Sequence, residues 1–301
     1  MLSRSPEPVS RHEPVLLEEV LDFLKLSGGK KILDCTAGCG GHSRRILERI
    51  MPDGFLIGID KDSQALTEAK KNLEGFEGKF VLFQDDFKNA KRIVESAGVS
   101  GIDGALIDLG VSSLQFDNIE RGFSIKGNGP LDMRMDTRSD VSARDIINRS
   151  SFEELARIME EFGEERMSKK IARLIVEKRN KKPLDTTGDL SRIVEQAYGY
   201  RGYRSHPATK VFQAFRIAVN NELESLKAAL EDVTNILTPQ SRLCIISFHS
   251  LEDRIVKNYF KSLYVKEEAR LVVKKPVRPS RDEEIRNPRS RSAKLRVIEK
   301  I

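Results

Sequence analysis

Tryptophan is absent from this chain of 301 residues, and cysteine occurs only three times. The odd number of cysteines, Cys35, Cys39 and Cys244, argues against a disulfide framework. Cys35 and Cys39 also lack neighbouring cysteines or histidines at the spacing of a zinc site, apart from His42. We therefore expect neither disulfides nor a bound metal.

Long apolar runs are missing as well. No run approaches the length of about 18 residues that a membrane span needs. Residues 1–13 contain prolines and charges where a signal peptide would need an apolar stretch. We therefore expect a cytoplasmic protein that does not associate with membranes, and the length suggests two domains.

Positive charge is unevenly distributed along the chain. The net charge is +6, whereas Lys261–Ile301 alone has 13 Lys or Arg against 6 Asp or Glu, so the first 260 residues net about −1. Basic residues between prolines and serines suit contacts with RNA phosphates, although a solvated surface without a partner is the alternative. These candidates are Arg278, Arg281, Arg286, Arg289, Arg291, Lys294 and Arg296.

The segment ILDCTAGCGGHS, residues 32–43, places an acid directly before a glycine-rich turn. The apolar run that ends in Asp34 predicts a buried parallel strand, and the following glycines allow a ligand close to the backbone before a helix opens. We predict that Gly38, Gly40, Gly41 and His42 belong to a nucleotide-type site.

The charge of this turn selects among nucleotide ligands. A carboxylate at Asp34 is poorly placed beside a pyrophosphate, and no Gly-Lys-Ser or Gly-Lys-Thr follows the glycines. S-adenosylmethionine has no phosphate and carries an ammonium and a sulfonium group, which carboxylates stabilise. The turn therefore favours this cofactor, with S-adenosylhomocysteine as its product.

The next two predicted strands also end in acids. Phe55–Ile59 ends at Asp60, where an acid can accept hydrogen bonds from a ribose diol. Phe80–Phe83 runs into two acids and an aromatic residue, which suit the amino group and the ring of adenine. These three residues are Asp85, Asp86 and Phe87.

A fourth predicted strand, Ala105–Ile107, ends in Asp108. Any one of these acids alone is commonly a helix N-cap. Four successive strands that end in acids instead indicate one cluster at the carboxyl edge of a sheet, which favours a methyltransferase.

The pattern along the chain predicts an α/β fold, a Rossmann-like class I methyltransferase with an inserted all-helical domain. We expect the methyltransferase domain to comprise residues 1–114 and 211–301. The helical domain should comprise residues 115–210 and take part in substrate recognition. Predicted elements are an entry helix at 15–25, two helices in 143–179 with the second starting near Phe152, a helix at 189–197, one long helix at 211–233, and strands at 242–248 and 294–298.

Sequence blocks across nearly the full chain resemble one family, the bacterial ribosomal RNA small subunit methyltransferase H family, also called MraW. The blocks are HEPVLLEE, DCTAGCGGHS, GIDKD, IDLGVSS, RGFSIKGNGPLDMRMD, HPATKVFQAFRIAVNNEL, ISFHSLEDRIVK and SRSAKLR. The resemblance implies N4-methylation of a cytidine in the decoding region of 16S ribosomal RNA of the small subunit. It also implies cofactor contacts at Gly40, Gly41, His42, Asp60, Phe87, Asp108 and Gln115, to which the charge argument adds Asp34 and Asp86.

An exocyclic cytosine amine is a weak nucleophile, so hydrogen-bond acceptors on its hydrogens would assist the transfer. We predict that Asp108 has this catalytic role, and the backbone carbonyls of the loop that follows it are further candidate acceptors. The target base must leave its stack, which makes Phe116, Phe123 and Phe248 candidate stacking surfaces, although core packing is the alternative for each. Candidate RNA contacts are Arg134, Arg201, Arg204 and the basic C-terminal segment, whereas His206 and His249 are noted only because they lie in the shared blocks.

Two other functions remain open at this point. The enzyme could methylate transfer RNA, DNA or protein, or the chain could be a ribosome-assembly factor that binds RNA without catalysis. The intact acidic strand ends argue against the second. The sequence does not decide between a monomer and a homodimer.

Overall fold

The computed structural model describes residues 14–199 and 206–301. Within these ranges seven strands form one sheet in the order β3-β2-β1-β4-β5-β7-β6. Strands β1 to β5 are parallel, and β7 lies antiparallel between β5 and β6. The strands are β1 (Lys31–Asp34), β2 (Phe55–Asp60), β3 (Phe80–Gln84), β4 (Ile102–Asp108), β5 (Leu237–Ser247), β6 (Ala269–Leu271) and β7 (Lys294–Lys300).

The chain forms thirteen helices within the described ranges, some of which cover the two faces of the sheet. They are α1 (Leu17–Phe23), α2 (Gly41–Ile50), α3 (Ser63–Asn72), α4 (Ala90–Ser96), α5 (Ser113–Asp117), α6 (Ala143–Arg149), α7 (Phe152–Gly163), α8 (Ser168–Arg179), α9 (Thr187–Tyr198), α10 (Thr209–Asn220), α11 (Glu222–Ile236), α12 (Ser250–Val265) and α13 (Arg281–Arg286). Single 3-10 turns lie at Phe87–Asn89, Ile119–Arg121 and Pro288–Ser292.

Alternate residues of each strand face opposite layers, as the pleat requires. Ile32 and Leu56 pack into a cluster with α1 and α2, whereas Leu33 and Ile57 pack into a second cluster with α4, α11 and α12. The predicted Rossmann-like class I fold is confirmed. The three-residue β6 is not predicted from the sequence, because so short a segment gives no periodicity.

Helices α5 to α10 lie between β4 and β5 and bury a third hydrophobic cluster, which includes Leu155, Met159, Ile171 and Phe215. Helix α10 packs in this cluster. We therefore propose that the helical region, placed at 115–210 from the sequence, extends to the end of α10, and that the chain returns to the sheet at Asn221.

The segment 143–179 forms three helices, so the expectation of two is wrong. Helix α7 ends because Glu164 adopts a left-handed backbone with φ of 48°. The Glu165 carboxylate then accepts a hydrogen bond from the backbone N–H of Met167 at 2.8 Å, just before α8 begins. The amphipathic pattern continues across this corner and does not reveal it.

The long helix expected at 211–233 is likewise two helices. Asn221 has φ of 51°, a left-handed conformation that asparagine tolerates better than most residues. Asn220 is buried and bonds to a neighbouring loop, accepting from the N–H of Met135 at 2.7 Å and donating to the carbonyl of Met133 at 2.7 Å. The chain therefore turns where this loop is fixed.

None of the helices within the described ranges is long and apolar enough to cross a membrane.

One buried ion pair joins the helical region to the sheet. Arg121 and Asp62 are 6% and 1% exposed, and the Nη1 of Arg121 lies 2.6 Å from the Oδ2 of Asp62. Nη2 donates to the carbonyls of Arg134 and Met135 at 2.9 and 3.0 Å. Asp62 also caps α3 through the N–H of Gln64. Sequence reasoning missed this pair, since its partners are 59 residues apart.

We expect Arg121→Ala to lower the free energy of unfolding by about 3–5 kcal/mol, because Asp62 would remain as an unpaired buried charge. Urea unfolding followed by circular dichroism measures this change. The matched control is Arg157→Ala, which removes the exposed pair with Glu161 and should cost about 0.3–0.5 kcal/mol. Equal losses in the two variants would contradict the structural role of the buried pair.

Candidate active site

The turn after β1 shapes the floor of a cavity of about 450 Å³ at the carboxyl edge of the sheet. Gly40 precedes α2 with φ of 84°, a conformation that favours glycine. A Cβ on Gly41 would lie 2.7 Å from Cγ of Pro14, so only glycine fits there without movement. This volume suits a cofactor of nucleoside size.

Eight of the ten predicted cofactor residues line the cavity. They are Gly38, Gly40, Gly41, His42, Asp60, Phe87, Asp108 and Gln115. The other two, Asp34 and Asp86, do not line it and have supporting positions instead.

Asp34 lies beneath the turn, 1% exposed. Its carboxylate accepts hydrogen bonds from the hydroxyl of Ser43 at 2.6 Å and from the N–H of Thr36 at 3.2 Å. Burial raises the pKa of Asp34 to about 6, and the nearby charge of Asp60 adds to this rise. The predicted direct contact with the cofactor's cations therefore differs from the observed geometry, in which Asp34 holds the turn.

Asp60 lies at the end of β2 and faces the cavity. Its two oxygens accept hydrogen bonds from the N–H groups of Gly38 and Asp62, each at 2.8 Å. Each oxygen retains a second lone pair for a ligand hydroxyl. Burial raises the pKa of Asp60 to about 6, although these N–H groups oppose the rise.

The far end of the cavity, after β3, carries the aromatic ring of Phe87. The ammonium of Lys61 lies 5.9 Å from the centroid of this ring and 3.0 Å from Asp86. Asp86 also accepts from the hydroxyl of Ser225 at 2.8 Å. Asp86 thus positions Lys61, whereas sequence reasoning had placed it on the adenine. The Asp85 carboxylate accepts from Asn89 and Arg92.

Asp108 is the last residue of β4, and its backbone N–H donates to the hydroxyl of Thr36 at 2.7 Å. Its Oδ1 is buried without a hydrogen-bond partner among the described residues. Burial raises the pKa of Asp108 well above its usual range, and the charges of Asp34 and Glu252 add to the effect. A ligand N–H group would satisfy this orphaned oxygen.

His42 and Gln115 complete the middle of the cavity. The Nε2 of His42 lies 3.1 Å from the carbonyl of Val15, so this nitrogen carries the proton, while Nδ1 faces Asp108 at 3.8 Å. Gln115 is 3% exposed and donates to Asp62 at 2.9 Å while its Oε1 accepts from the N–H of Ser112. Gln115 therefore touches both the cavity and the buried ion pair.

Four other residues also line the cavity, namely Met135, Phe248, Glu222 and Glu252. Glu222, Glu252 and His249 are close enough together to suggest a metal site. However, the guanidinium of Arg216 donates to both oxygens of Glu222 at 2.9 and 2.8 Å, so a cation already balances that carboxylate. Apart from Phe248, sequence reasoning missed these cavity-lining residues.

Comparisons with known proteins identify the family of the chain. The model of the MraW methylase family matches residues 9–301. The chain belongs to the MraW methylase family. It is therefore an S-adenosylmethionine-dependent methyltransferase, and the cofactor predicted from the acidic strand ends is confirmed.

Relatives match over almost their whole length. Ribosomal RNA small subunit methyltransferase H of Caldicellulosiruptor bescii is 46% identical, with 96% of this chain and 99% of the relative covered. The protein of the same name from Halothermothrix orenii is 44% identical, with 96% and 98% covered. A solved structure of a candidate rRNA methylase from Clostridium thermocellum has a TM-score of 0.50 at 11% identity, with 96% of this chain and 100% of that chain covered, which shows the shared fold.

The aromatic residues predicted to stack on the target base have different environments in this methyltransferase. Phe123 is 6% exposed in the core of the helical cluster, which agrees with the core-packing alternative for this residue. Phe116 lies beneath the guanidinium of Arg289, whereas Phe248 faces the cavity.

Several predicted RNA-binding residues are engaged within the protein. Arg134 is paired with Asp132, and His206 with Glu195. Lys294 and Arg296 both bond to Asp253, and Arg289 bonds to Asp117. His249 is an N-cap residue of α12. Arg201 and Arg204 lie outside the described residues.

The three cysteines are free, and Cys35 and Cys244 are buried. Burial raises the pKa of the Cys35 thiol well above its usual value, so this thiol is protonated at neutral pH. Cys35 and Cys39 line the cofactor cavity.

The pKa of Asp60 predicts a pH dependence of cofactor binding. With a pKa of about 6, its carboxyl is only about one-tenth ionised at pH 5. We expect the affinity for S-adenosylhomocysteine, measured by calorimetry, to fall by up to about tenfold between pH 7.5 and 5, and Asp60→Asn to bind more weakly at pH 7.5 with a flatter profile. The exposed Asp53→Asn variant should keep the normal profile. An unchanged slope in Asp60→Asn would assign the titration to another acid, such as Asp34.

Proposed function

We propose that this methyltransferase transfers the methyl group of S-adenosylmethionine to the N4 amine of a cytidine in the decoding region of 16S ribosomal RNA, within the small ribosomal subunit in the cytoplasm. The relatives that span the whole chain are named for small-subunit ribosomal RNA. The observation that carries the amine chemistry is the buried, partnerless Oδ1 of Asp108 in the cavity wall.

The chemistry of the acceptor explains what Asp108 would contribute. The amine of cytosine shares its lone pair with the ring, so it needs help to attack a methyl group. An N–H of the amine can donate to Oδ1, which orients the nitrogen and stabilises the positive charge that develops there. The nitrogen also loses a proton as it gains the methyl group. A carboxylate with a raised pKa is a stronger base than an ordinary aspartate and can accept that proton.

The cavity wall beyond Asp108 suits a planar base. Phe248 and Met135 supply apolar surface next to the acidic groups. A cytidine inside an RNA helix must turn out of its stack to reach this position. The proposal requires no metal, because S-adenosylmethionine supplies the electrophilic methyl group.

Exposed arginines near the cavity can hold the RNA backbone. Arg278, Arg281 and Arg291 are exposed and belong to the same C-terminal segment as Arg289, which lines the cavity. Phosphate contacts from such side chains add affinity without reading sequence. A single chain contributes both the cavity and these arginines, so the proposal does not depend on a homodimer.

We expect the wild-type enzyme to form N4-methylcytidine when it is incubated with S-adenosylmethionine and small subunits that lack the modification. Nucleoside mass spectrometry detects the product. Asp108→Asn should reduce the single-turnover rate by about 100-fold or more, because general-base and electrostatic contributions are of this size. Its affinity for S-adenosylhomocysteine should change much less.

Asp103→Asn is the matched control, since it makes the same change at the opposite end of β4. It should keep the wild-type rate. A different methylated nucleoside would contradict the N4 assignment. Cofactor binding without methyl transfer to any RNA would instead favour DNA or protein as the acceptor, and equal losses of rate and affinity in Asp108→Asn would make Asp108 a cofactor ligand only.

A further inference from the structure

One side chain of the C-terminal segment reaches the cofactor cavity. Arg289 lies in the 3-10 turn Pro288–Ser292 and lines the cavity. Its guanidinium lies 4.9 Å from the ring centroid of Phe116. It also donates to both carboxylate oxygens of Asp117, with Nη1 at 3.3 Å from Oδ2. The ring and the carboxylate thus fix the guanidinium at the edge of the cavity.

The cofactor carries one anionic group that the predicted site does not serve. S-adenosylmethionine has a sulfonium, an ammonium and a carboxylate, and the acids of the cavity suit the first two. A carboxylate that leaves water needs cationic or N–H donors. Among residues 14–199 and 206–301, the lysine and arginine residues that line the cavity are Arg44, Lys61 and Arg289.

Two of these three cations are already committed. Lys61 bonds to Asp86 at 3.0 Å and to the carbonyl of Asn220 at 3.1 Å, beside the ring of Phe87. Arg44 donates to the carbonyl of Asn72 at 2.5 Å and lies 3.4 Å from Glu48. Asp86 therefore balances Lys61, and the hydrogen bond to Asn72 directs Arg44 to the end of α3.

Arg289 keeps guanidinium N–H groups that can donate to a ligand. Asp117 accepts from Nη1 and Nη2, so three of the five N–H groups of the guanidinium have no acceptor within the part of the chain that the structure describes. The side chain of Asp117 is 65% exposed. An ion pair this exposed contributes little and yields readily to a second carboxylate.

Arg289 also enters from the correct end of the cavity. Its segment leads into β7 beside β5, whereas Phe87 follows β3 at the other side of the sheet. The same segment bonds to the start of α1, because Glu283 accepts the N–H of Leu16 at 2.8 Å, and the neighbouring Val15 carbonyl lies 3.1 Å from His42 in the first turn of α2. With the ribose at Asp60 and the adenine at Phe87, the amino-acid end of the cofactor points toward Arg289.

We propose that Arg289 binds the carboxylate of the methionine moiety of S-adenosylmethionine. This inference rests on the identity of the cofactor and is independent of the base that is methylated. The C-terminal basic segment therefore contains a cofactor ligand among residues that otherwise suit RNA.

The test compares two ligands that differ only in the carboxylate. These are S-adenosylhomocysteine and its decarboxylated analogue, 5′-deoxy-5′-(3-aminopropylthio)adenosine. We expect Arg289→Ala, measured by calorimetry, to weaken S-adenosylhomocysteine binding by about tenfold to 100-fold, the effect of a lost charged hydrogen bond. Binding of the analogue should change less than about twofold. Arg289→Lys should recover part of the affinity for S-adenosylhomocysteine.

The matched control is Arg270→Ala, which removes the same charge from an exposed position on β6 outside the cavity. It should leave both affinities unchanged. Equal weakening of both ligands in Arg289→Ala would overturn the proposal in favour of a role in cavity shape. No weakening of either ligand would place the carboxylate elsewhere, such as at the amide groups that begin α2. If the wild-type protein bound neither ligand, the cofactor assignment itself would fail.

Discussion

The buried pair of Arg121 and Asp62 is the interaction on which the rest of the site depends. Two charges removed from water are costly unless their remaining hydrogen-bonding groups are satisfied. Here Asp62 also accepts from Gln115 and from the N–H of Gln64, and Arg121 also donates to the carbonyls of Arg134 and Met135, so that only its buried Nε has no acceptor among the described residues. One set of hydrogen bonds around Asp62 therefore joins Gln115, which lines the cavity, to Arg121 in the helical region. The helical region cannot shift without exposing one of the two buried charges.

The acids at the strand ends create a second constraint. Asp34, Asp60 and Asp108 all have raised pKa values, mainly because burial disfavours their charged forms. Their mutual repulsion is relieved when a ligand brings positive charge into the cavity. A sulfonium and an ammonium supply that charge, whereas a pyrophosphate would increase the repulsion. The selection of the cofactor is thus an electrostatic property of the whole edge of the sheet.

The sequence predicted most of the sheet and eight residues that line the cavity, because each signal was local. An apolar run followed by an acid identifies a strand and its end, as at Asp60 and Asp108, and both residues line the cavity. Whether an acid faces a ligand or a neighbouring side chain is not local. Asp86 binds Lys61, and Asp34 binds Ser43, through contacts that depend on how loops pack.

The helical region was harder to predict for the same reason. Asn221 and Glu164 end helices inside continuous amphipathic patterns, since the chain turns there to meet loops distant in sequence. The wall formed by Glu222 and Glu252 appears only once α10 to α12 are folded together. The sequence motifs identified the segments that form α10 to α12 but did not predict the contacts between their side chains.

The division of charge in the C-terminal segment links the two substrates. Asp253 neutralises Lys294 and Arg296, and Asp117 holds Arg289 at the cavity, which leaves exposed arginines such as Arg281 and Arg291 for phosphates. Long-range attraction alone would be satisfied by positive charge anywhere on the surface. Under the proposed function, an RNA backbone held on the segment that also lines the cavity would bring its displaced base next to Asp108. The same short stretch of chain would then set the position of the acceptor relative to the methyl donor.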